Sequence, residues 1–429
     1  MLHAGFHVAD ITPQIGAVGP GGFAPAYRDG VHDPLRVRAG TLLSDDTALA
    51  LVGVDAVSLK TEDLVRAREM AADLSPIPAG NIIIAASHTH TGGPANDVLG
   101  SPSDEHYREQ IVRQIASAVA EAAREAVPAE VAWASGVAED LAWNRRWHLA
   151  DGSQGTHCDP ADDDVIERAG PQDPEILLLA ARDLDGRMLG FVGNFACHVT
   201  IMGGPHFSAD YPGAWSDAME AATGAPLVFL NGAMGDVTQV NKEADTPQKG
   251  EEGVRRFARK LSGESLKLLA EMQFEGDAQI SVAGESLALA FRRPAEEQLE
   301  RDREMAAERA EDDYSREAVF ARERLALAEH IEATGKEPCP LICARIGDLG
   351  IATGAGQMFC EFGLDCKDRS PFEHTMYVSL ANGNVGYVPT PEAIAGGGYE
   401  PTLCRGSKLA PEAGGQIVDA QVRLLEELA

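Results

Sequence analysis

Apolar residues in the first half of the chain fall in short dense runs separated by amphipathic stretches. Ala48–Asp55 (ALALVGVD) and Asn81–Ser87 (NIIIAAS) are continuous apolar runs of strand length, and Glu130–Ser135, Ile176–Arg182, Leu189–Phe195 and Pro226–Leu230 extend the series. Between and after them, helical spacing predicts helices over Thr61–Leu74, Ser103–Val127, Gly213–Ala222 and Gly250–Met272. Thr61 opens the first with acids in its first turn, and Ser103 or Asp104 caps the second. Strands return at Leu341–Ile346, Gly350–Thr353 and Met376–Leu380, and a helix from Pro411 closes the chain. Strands that alternate with helices this densely predict an α/β fold with mixed β-sheets flanked by helices.

Two segments break the pattern. Residues 139–174, rich in Asp, Gly, Pro and Trp and without periodicity, read as a long loop region. Residues 294–336 are dense in Glu, Arg and Ala, with apolar positions at Leu299, Met305, Val319, Phe320, Leu325 and Ile331. They read as one long helix or a helical hairpin. A mixed charge run of this kind is first of all a solvated insertion held by intrahelical ion pairs, with a dimer contact or a lid over a site as the sharper alternatives. No internal repeat or low-complexity linker divides the chain, so the simplest parse is one large domain, 1–429, with a charged helical insertion at 294–336.

Composition narrows the partners. With 36 Lys+Arg against 67 Asp+Glu, the 429-residue chain carries a formal charge of −31. Such a chain repels phosphate backbones and anionic lipid surfaces, which argues against nucleic acid and against stable membrane association. No apolar run approaches the about 18 residues that a spanning helix needs, and the first residues lack the basic and apolar regions of a secretory leader. Seven cysteines without a paired framework suit a reducing compartment, so a cytoplasmic protein is expected. A homo-oligomer is compatible with all of this.

The candidate chemistry sits at strand ends. In Ser87-His88-Thr89-His90-Thr91-Gly92-Gly93, two histidines follow a buried strand. Side chains alternate along a strand, so His88 and His90 share a face and can converge on a metal or a substrate. His198 closes a second apolar run, Phe191–Cys197, and Cys197 beside it points to the core. Neutral imidazoles at buried strand ends are good zinc ligands, and three protein ligands with a water make a catalytic zinc site. Asn231-Gly232-Ala233-Met234-Gly235-Asp236-Val237-Thr238 follows a third strand. Its glycines permit a tight loop whose N–H groups can face an anionic oxygen, with Asp236 and Thr238 presenting a carboxylate and a hydroxyl.

These three motifs, in this order, resemble the catalytic domain of the neutral/alkaline ceramidase family. The likeness begins at Gly5-Phe6-His7-Val8-Ala9-Asp10-Ile11-Thr12-Pro13 and extends to Tyr399, sparing the helical insertion. It implies a zinc ion held by two histidines, a glutamate and a tyrosine, and hydrolysis of an amide. Matched by position, His88 and His198 are the zinc histidines and Tyr387 the tyrosine ligand, while His90 and Arg145 contact substrate near the metal. Two positions depart from the family pattern. The glutamate ligand falls on Gln357 in Gly356-Gln357-Met358-Phe359-Cys360-Glu361, and a neutral amide binds zinc less well than a carboxylate. Glu361, one helical turn later, is the alternative donor. The family's Gly-Asp-Val-Ser reads Gly235-Asp236-Val237-Thr238, with a branched side chain in the serine's place. The family's secretion signal and C-terminal β-sandwich are not expected in this chain.

The resemblance implies a zinc-dependent hydrolase of an N-acylated small molecule, more soluble than ceramide. In that reading His90 and Arg145 stabilise the oxyanion, Asp236 orients a group at the metal, and Thr238 contacts substrate. A second reading, motivated by Gln357, keeps the metal and removes most of the catalysis. A barrel amidohydrolase, which also places His-X-His on a strand, is disfavoured. That fold needs the pair on its first strand and a late aspartate, and this chain supplies neither.

Overall fold

The structure is a computed structural model that describes residues 1–429. Its frame is an eight-stranded sheet built from β1 (His3–Asp10), β2 (Arg36–Leu43), β3 (Ala48–Val54), β4 (Ile82–Ala86), β5 (Val127–Val137), β6 (Glu175–Asp183), β7 (Met188–Phe195) and β8 (Leu227–Asn231). A second sheet holds β9 (Ile280–Leu289), β10 (Glu337–Ile346), β11 (Leu349–Thr353) and β12 (His374–Val378). The helices are α1 (Thr61–Leu74), α2 (Glu105–Arg124), α3 (Asp210–Thr223), α4 (Gly250–Glu271), α5 (Glu296–Glu308), α6 (Arg316–Thr334), α7 (Cys360–Arg369), α8 (Pro391–Gly396) and α9 (Ala413–Leu428). The mixed α/β architecture with sheets flanked by helices, in a single domain, is the one its hydrophobic pattern predicts.

The larger sheet runs β8-β7-β6-β5-β1-β2-β3-β4. Only the outer pairs, β3–β4 and β7–β8, are parallel, and each is joined through a helix, α1 or α3. The order strand-strand-strand-helix-strand-helix therefore occurs twice, once in β1 to α2 and once in β5 to α4. This repetition of topology leaves no repeated residue pattern. The two halves meet at a short seam, His3 and Ala4 against Pro128 and Val127.

Both faces of the sheet are covered, which is why its inner strands read as continuous apolar runs. In β4, Ile82 and Ile84 face α1 and α2, while Ile83 and Ala85 face a central core closed by the second sheet. In the other half, Leu178 and Phe191 pack on Trp215 of α3 and Phe257 of α4. The outer face of the second sheet lies under α7 and α9. Across the central core the halves approach so closely that a Cβ at Gly53 in β3 would stand 2.5 Å from the Phe229 carbonyl in β8.

The segment after β12 locks the halves together. Ser379 N–H donates to the Asn231 carbonyl, Asn382 N–H to the Ile84 carbonyl, and Ala86 N–H to the Leu380 carbonyl. The Asn231 side chain completes the lock. Its Nδ2 donates to the carbonyls of Ser87 and Cys197, both at 3.0 Å, and its Oδ1 accepts from Cys197 N–H. The residues next to those carbonyls are His88 and His198.

Several expectations change. β1, β2 and β9 carry too few apolar residues in a row to be recognised, although β1 and β2 sit mid-sheet. Arg38 in β2 is buried because Asp55 receives it at 2.8 Å. Residues 139–174 contain a small three-stranded sheet, Arg146–Leu149 between Gln154–Thr156 and Val165–Arg168. Asp104 caps α2 by accepting from Tyr107 N–H, whereas Thr61 lies inside α1 and makes no cap. Residues 294–336 form a hairpin of α5 and α6, joined by Arg324 on the buried carboxylate of Asp302. Val319, Phe320, Leu327 and Ile331 of α6 are buried, so this helix is part of the body and not a solvated projection.

Asn231→Ala orphans two buried backbone groups, the Ser87 carbonyl and Cys197 N–H, while the Cys197 carbonyl keeps the Tyr211 hydroxyl. A loss of about 2 kcal/mol is expected, at roughly 1 kcal/mol per group, read from the urea midpoint against the wild type. An unchanged midpoint would show that other contacts hold the halves.

Candidate metal centre and active site

The chain leaves β4 at Ala86 and turns at once, so the pairing of His88 with His90 does not arise from strand alternation as expected. His88 has φ +75°, a left-handed conformation that costs a non-glycine residue of the order of 1 kcal/mol. Two hydrogen bonds hold it there. Its N–H donates to the Ala56 carbonyl at 2.9 Å, and its Nδ1 meets the Val57 carbonyl at 2.7 Å. His198 is held the same way by the Met234 carbonyl, 2.7 Å from Nδ1. A carbonyl only accepts, so both Nδ1 atoms carry the proton and both Nε2 atoms present a lone pair.

His90 completes the cluster. Its Nε2 lies 3.2 Å from His88 Nε2, and ligand nitrogens of His88, His90 and His198 all fall within 4.8 Å of one another. Burial holds all three imidazoles below their ordinary range, His88 at about 4, with the mutual proximity of the rings and of Arg145 adding to the effect. Three neutral imidazoles with converging nitrogens could hold a metal ion.

Tyr387 stands beside them, its hydroxyl 3.4 Å from His198 Nε2. Arg145 Nη2 donates to that hydroxyl at 3.1 Å and to the Gly235 carbonyl at 2.9 Å. Burial raises the Tyr387 phenol, and the Arg145 charge opposes that rise without cancelling it. The phenol is thus neutral near pH 7, and the charge partner of Arg145 is Glu400. Burial alone would lower the Arg145 guanidinium, but Tyr387 and Glu400 hold it above its usual value. Glu400, with 0% of its side chain exposed, accepts from Arg145 Nε and from Arg146 Nη1, each at 2.6 Å, and from the Thr156 hydroxyl.

Gln357 also lines the cavity, opposite Tyr387 in a short parallel pairing of Gln357–Met358 with Tyr387–Val388. Its Oε1 is buried and has no hydrogen-bond partner. Close approach of this strand explains Gly235, where a Cβ would stand 2.4 Å from the Gln357 carbonyl. Glu361 is not brought to the site. Residues 357 and 358 are strand and helix α7 starts only at Cys360, so the expected one-turn relation fails and Glu361 is exposed on the helix.

Two further expectations are redirected. Asp236 is buried behind the site, where it accepts from Asn144 Nδ2 at 2.6 Å and Cys360 N–H at 2.8 Å, and burial lifts it to about 6. Its own carbonyl receives Arg145 N–H. Asp236 therefore fixes the backbone that carries Arg145 and does not face the histidines. Thr238 is buried in the short strand paired with Trp143–Asn144 and accepts from Val240 N–H, away from the main cavity. The glycine loop forms no anion nest, because the N–H groups of Gly232 and Gly235 are taken by the Phe195 and Met358 carbonyls.

No family model matches the chain, and no curated protein sequence does. Two solved structures share its architecture. Neutral ceramidase from Pseudomonas aeruginosa superposes with a TM-score of 0.76 at 18% identity, over 100% of this chain and 74% of that one. A ceramidase complexed with C2 gives a TM-score of 0.76 at 17% identity, over 100% of this chain and 75% of that one. The chain has the neutral ceramidase fold.

In this instance of the neutral ceramidase fold, the residues that sequence reasoning missed are those that hold others in place. Asn231 opens the glycine-loop motif but has no chemistry assigned to it there, and Glu400 belongs to no motif; an Asn or Glu that acts by holding others carries no signal until its partners are adjacent in space. The cavity beside the histidines, about 520 Å³, is walled in part by α6. Phe320, Glu323, His330 and Thr334 are the α6 residues in that wall.

Acid should act on the stability of the metal-free protein through its buried histidines. Unfolded histidines take up a proton near about 6.5, whereas His88 and His157 do so in the fold only at about 4. Between these values the unfolded chain binds more protons, so stability falls as pH drops. Asp210 and Asp236, raised to about 6, work in the opposite sense below that pH. His90 and His198 add to the first effect and Asp55, Glu275 and Glu361 to the second, so the histidine share is read as a difference: in urea titrations from pH 6.5 to 4 the wild type should lose more stability than His88→Gln does. Equal changes in the two would contradict the buried, neutral state of the cluster.

Proposed function

We propose that this protein is a metal-dependent hydrolase that cleaves an amide, with zinc as the ion and an N-acylated small molecule as substrate. The observation that carries this reading is the pair of imidazoles, His88 and His198, with Nδ1 tied to carbonyls, so that both Nε2 lone pairs converge beside His90 and Tyr387. The donor set fits a borderline metal, since it consists of neutral nitrogens with one unpaired amide oxygen. His88 and His198 would hold the ion, with Gln357 Oε1 and Tyr387 as the remaining donors. A zinc ion bound there would supply Lewis acidity to the scissile carbonyl and to water.

The chain's own groups supply the rest. With His88 Nε2 as an acceptor, His90 Nε2 carries the proton of that pair; were the His88 lone pair given to an ion, the His90 N–H would be free to donate into the cavity it lines. Tyr387 is a second donor, polarised by the Arg145 guanidinium behind it. Both are placed to meet negative charge that develops on a carbonyl oxygen. Glu400 keeps Arg145 oriented, and Asp236 keeps its backbone in place. The −31 charge of the chain favours a substrate more soluble than ceramide.

The second reading, a metal-binding protein with little catalysis, draws on the neutral Gln357. Zinc content and turnover of a panel of N-acyl substrates separate the two. Full zinc loading with release of free amine, both abolished in His88→Ala, is expected; full loading without turnover supports the second reading. Gln357→Glu adds a carboxylate to the donor set and should raise zinc affinity about tenfold or more against a competing chelator. No change in affinity would remove Gln357 from the donor set.

A further inference from the structure

The wall that α6 and its neighbours raise around the cavity is built from paired charges. Glu323 of α6 accepts from Arg405 through both carboxylate oxygens, at 2.5 and 3.0 Å. Glu337, the first residue of β10, receives Lys408 Nζ at 3.0 Å through one oxygen and faces His330 Nε2 at 2.6 Å through the other. Nearer the opening, Lys60 reaches Asp97 at 2.5 Å. The side chains of Glu323, Glu337 and Lys408 are 7%, 9% and 8% exposed, and all seven residues line the same cavity as His88 and His90.

We propose that this wall is the subsite for the end of the substrate remote from the scissile amide, and that it takes a zwitterion. The class is an acylated amine whose far end bears both an ammonium and a carboxylate. The inference rests on the amidase reading and names its substrate class. A hydrocarbon tail would strip water from three buried or half-buried ion pairs and return no hydrogen bond, which is costly. A single added charge would meet attraction from one member of each pair and repulsion from the other at similar distance. A zwitterion avoids both penalties, because it extends a pair into a square of alternating charges. Its carboxylate meets Lys408 and Arg405, and its ammonium meets Glu323. The methylene stems of these side chains leave apolar surface for a short aliphatic spacer.

The test uses four acetamides of matched length: Nε-acetyl-lysine, 6-acetamidohexanoate, N-acetylcadaverine and N-hexylacetamide. Their binding to the full-length protein as purified is measured by calorimetry, and amine release is followed separately. Nε-acetyl-lysine is expected to bind at least about tenfold tighter than the other three. Arg405→Met and Glu323→Gln should each weaken its binding about tenfold or more and so remove its preference over N-hexylacetamide. The Arg405 side chain is 45% exposed, so its replacement tests the subsite even where the Glu323 variant does not fold. Equal binding of all four, tighter binding of N-hexylacetamide, binding of none, or a preference that survives both variants would each overturn the proposal. Preference without amine release from any compound keeps the subsite and sinks the amidase reading. Release without preference does the reverse.

Discussion

The site depends on one buried amide. Asn231, at the end of β8, grips the carbonyl before His88 with one N–H and the carbonyl before His198 with the other. These two carbonyls belong to different halves, whose pairing within the large sheet is confined to a short seam at β1 and β5. The tie works beside two other links between the halves, the His90 N–H bond to the Val199 carbonyl and the pairing of Gly30–Val31 with His206–Phe207. The segment from Ser379 to Asn382 reinforces the tie by bonding to both edge strands. Hydrogen bonds of modest net worth thus set a geometry on which all the chemistry rests.

Charge around the cluster is arranged so that little of it is negative. Three imidazoles and the Gln357 amide are uncharged, and the nearest carboxylate, Glu400, is fully engaged by two arginines and a hydroxyl. A cation entering here gains from lone pairs more than from opposite charge. Hard ions such as magnesium and calcium want several anionic oxygens, and the cluster offers neutral nitrogens instead. Arg145 adds a fixed positive charge behind Tyr387, which turns the phenol toward donating and keeps the imidazoles unprotonated.

How much of this was legible in the sequence follows from how local each cause is. Strands buried on both faces announce themselves as unbroken apolar runs, so β3, β4 and β8 were plain. β2 carries Arg36 and Arg38 and gave no such signal, because what buries Arg38 is Asp55, on the next strand. His88 and His198 were legible as strand-end histidines and from the family resemblance. The route to their convergence was not, since it runs through a left-handed residue and an asparagine from a third strand. Glu361 was misplaced because helical spacing was assumed across a residue pair that folds as strand. The α6 hairpin looked solvated because its charges were read as facing water, when Glu323 and Asp302 face arginines in the fold.

The doubled topology gives the cluster a further meaning. His88 follows β4 and leans on Val57, which follows β3; His198 follows β7 and leans on Met234, which follows β8. The first half therefore brings His88 beside His90 and the second brings His198, and His88 and His198 each lean on a carbonyl of their own half. An ion bound by both is a staple across the seam, and its binding free energy adds to the docking of one half on the other. Occupancy of such a centre measures assembly as well as readiness for chemistry. A chain whose halves have not closed has His198 apart from His88 and His90.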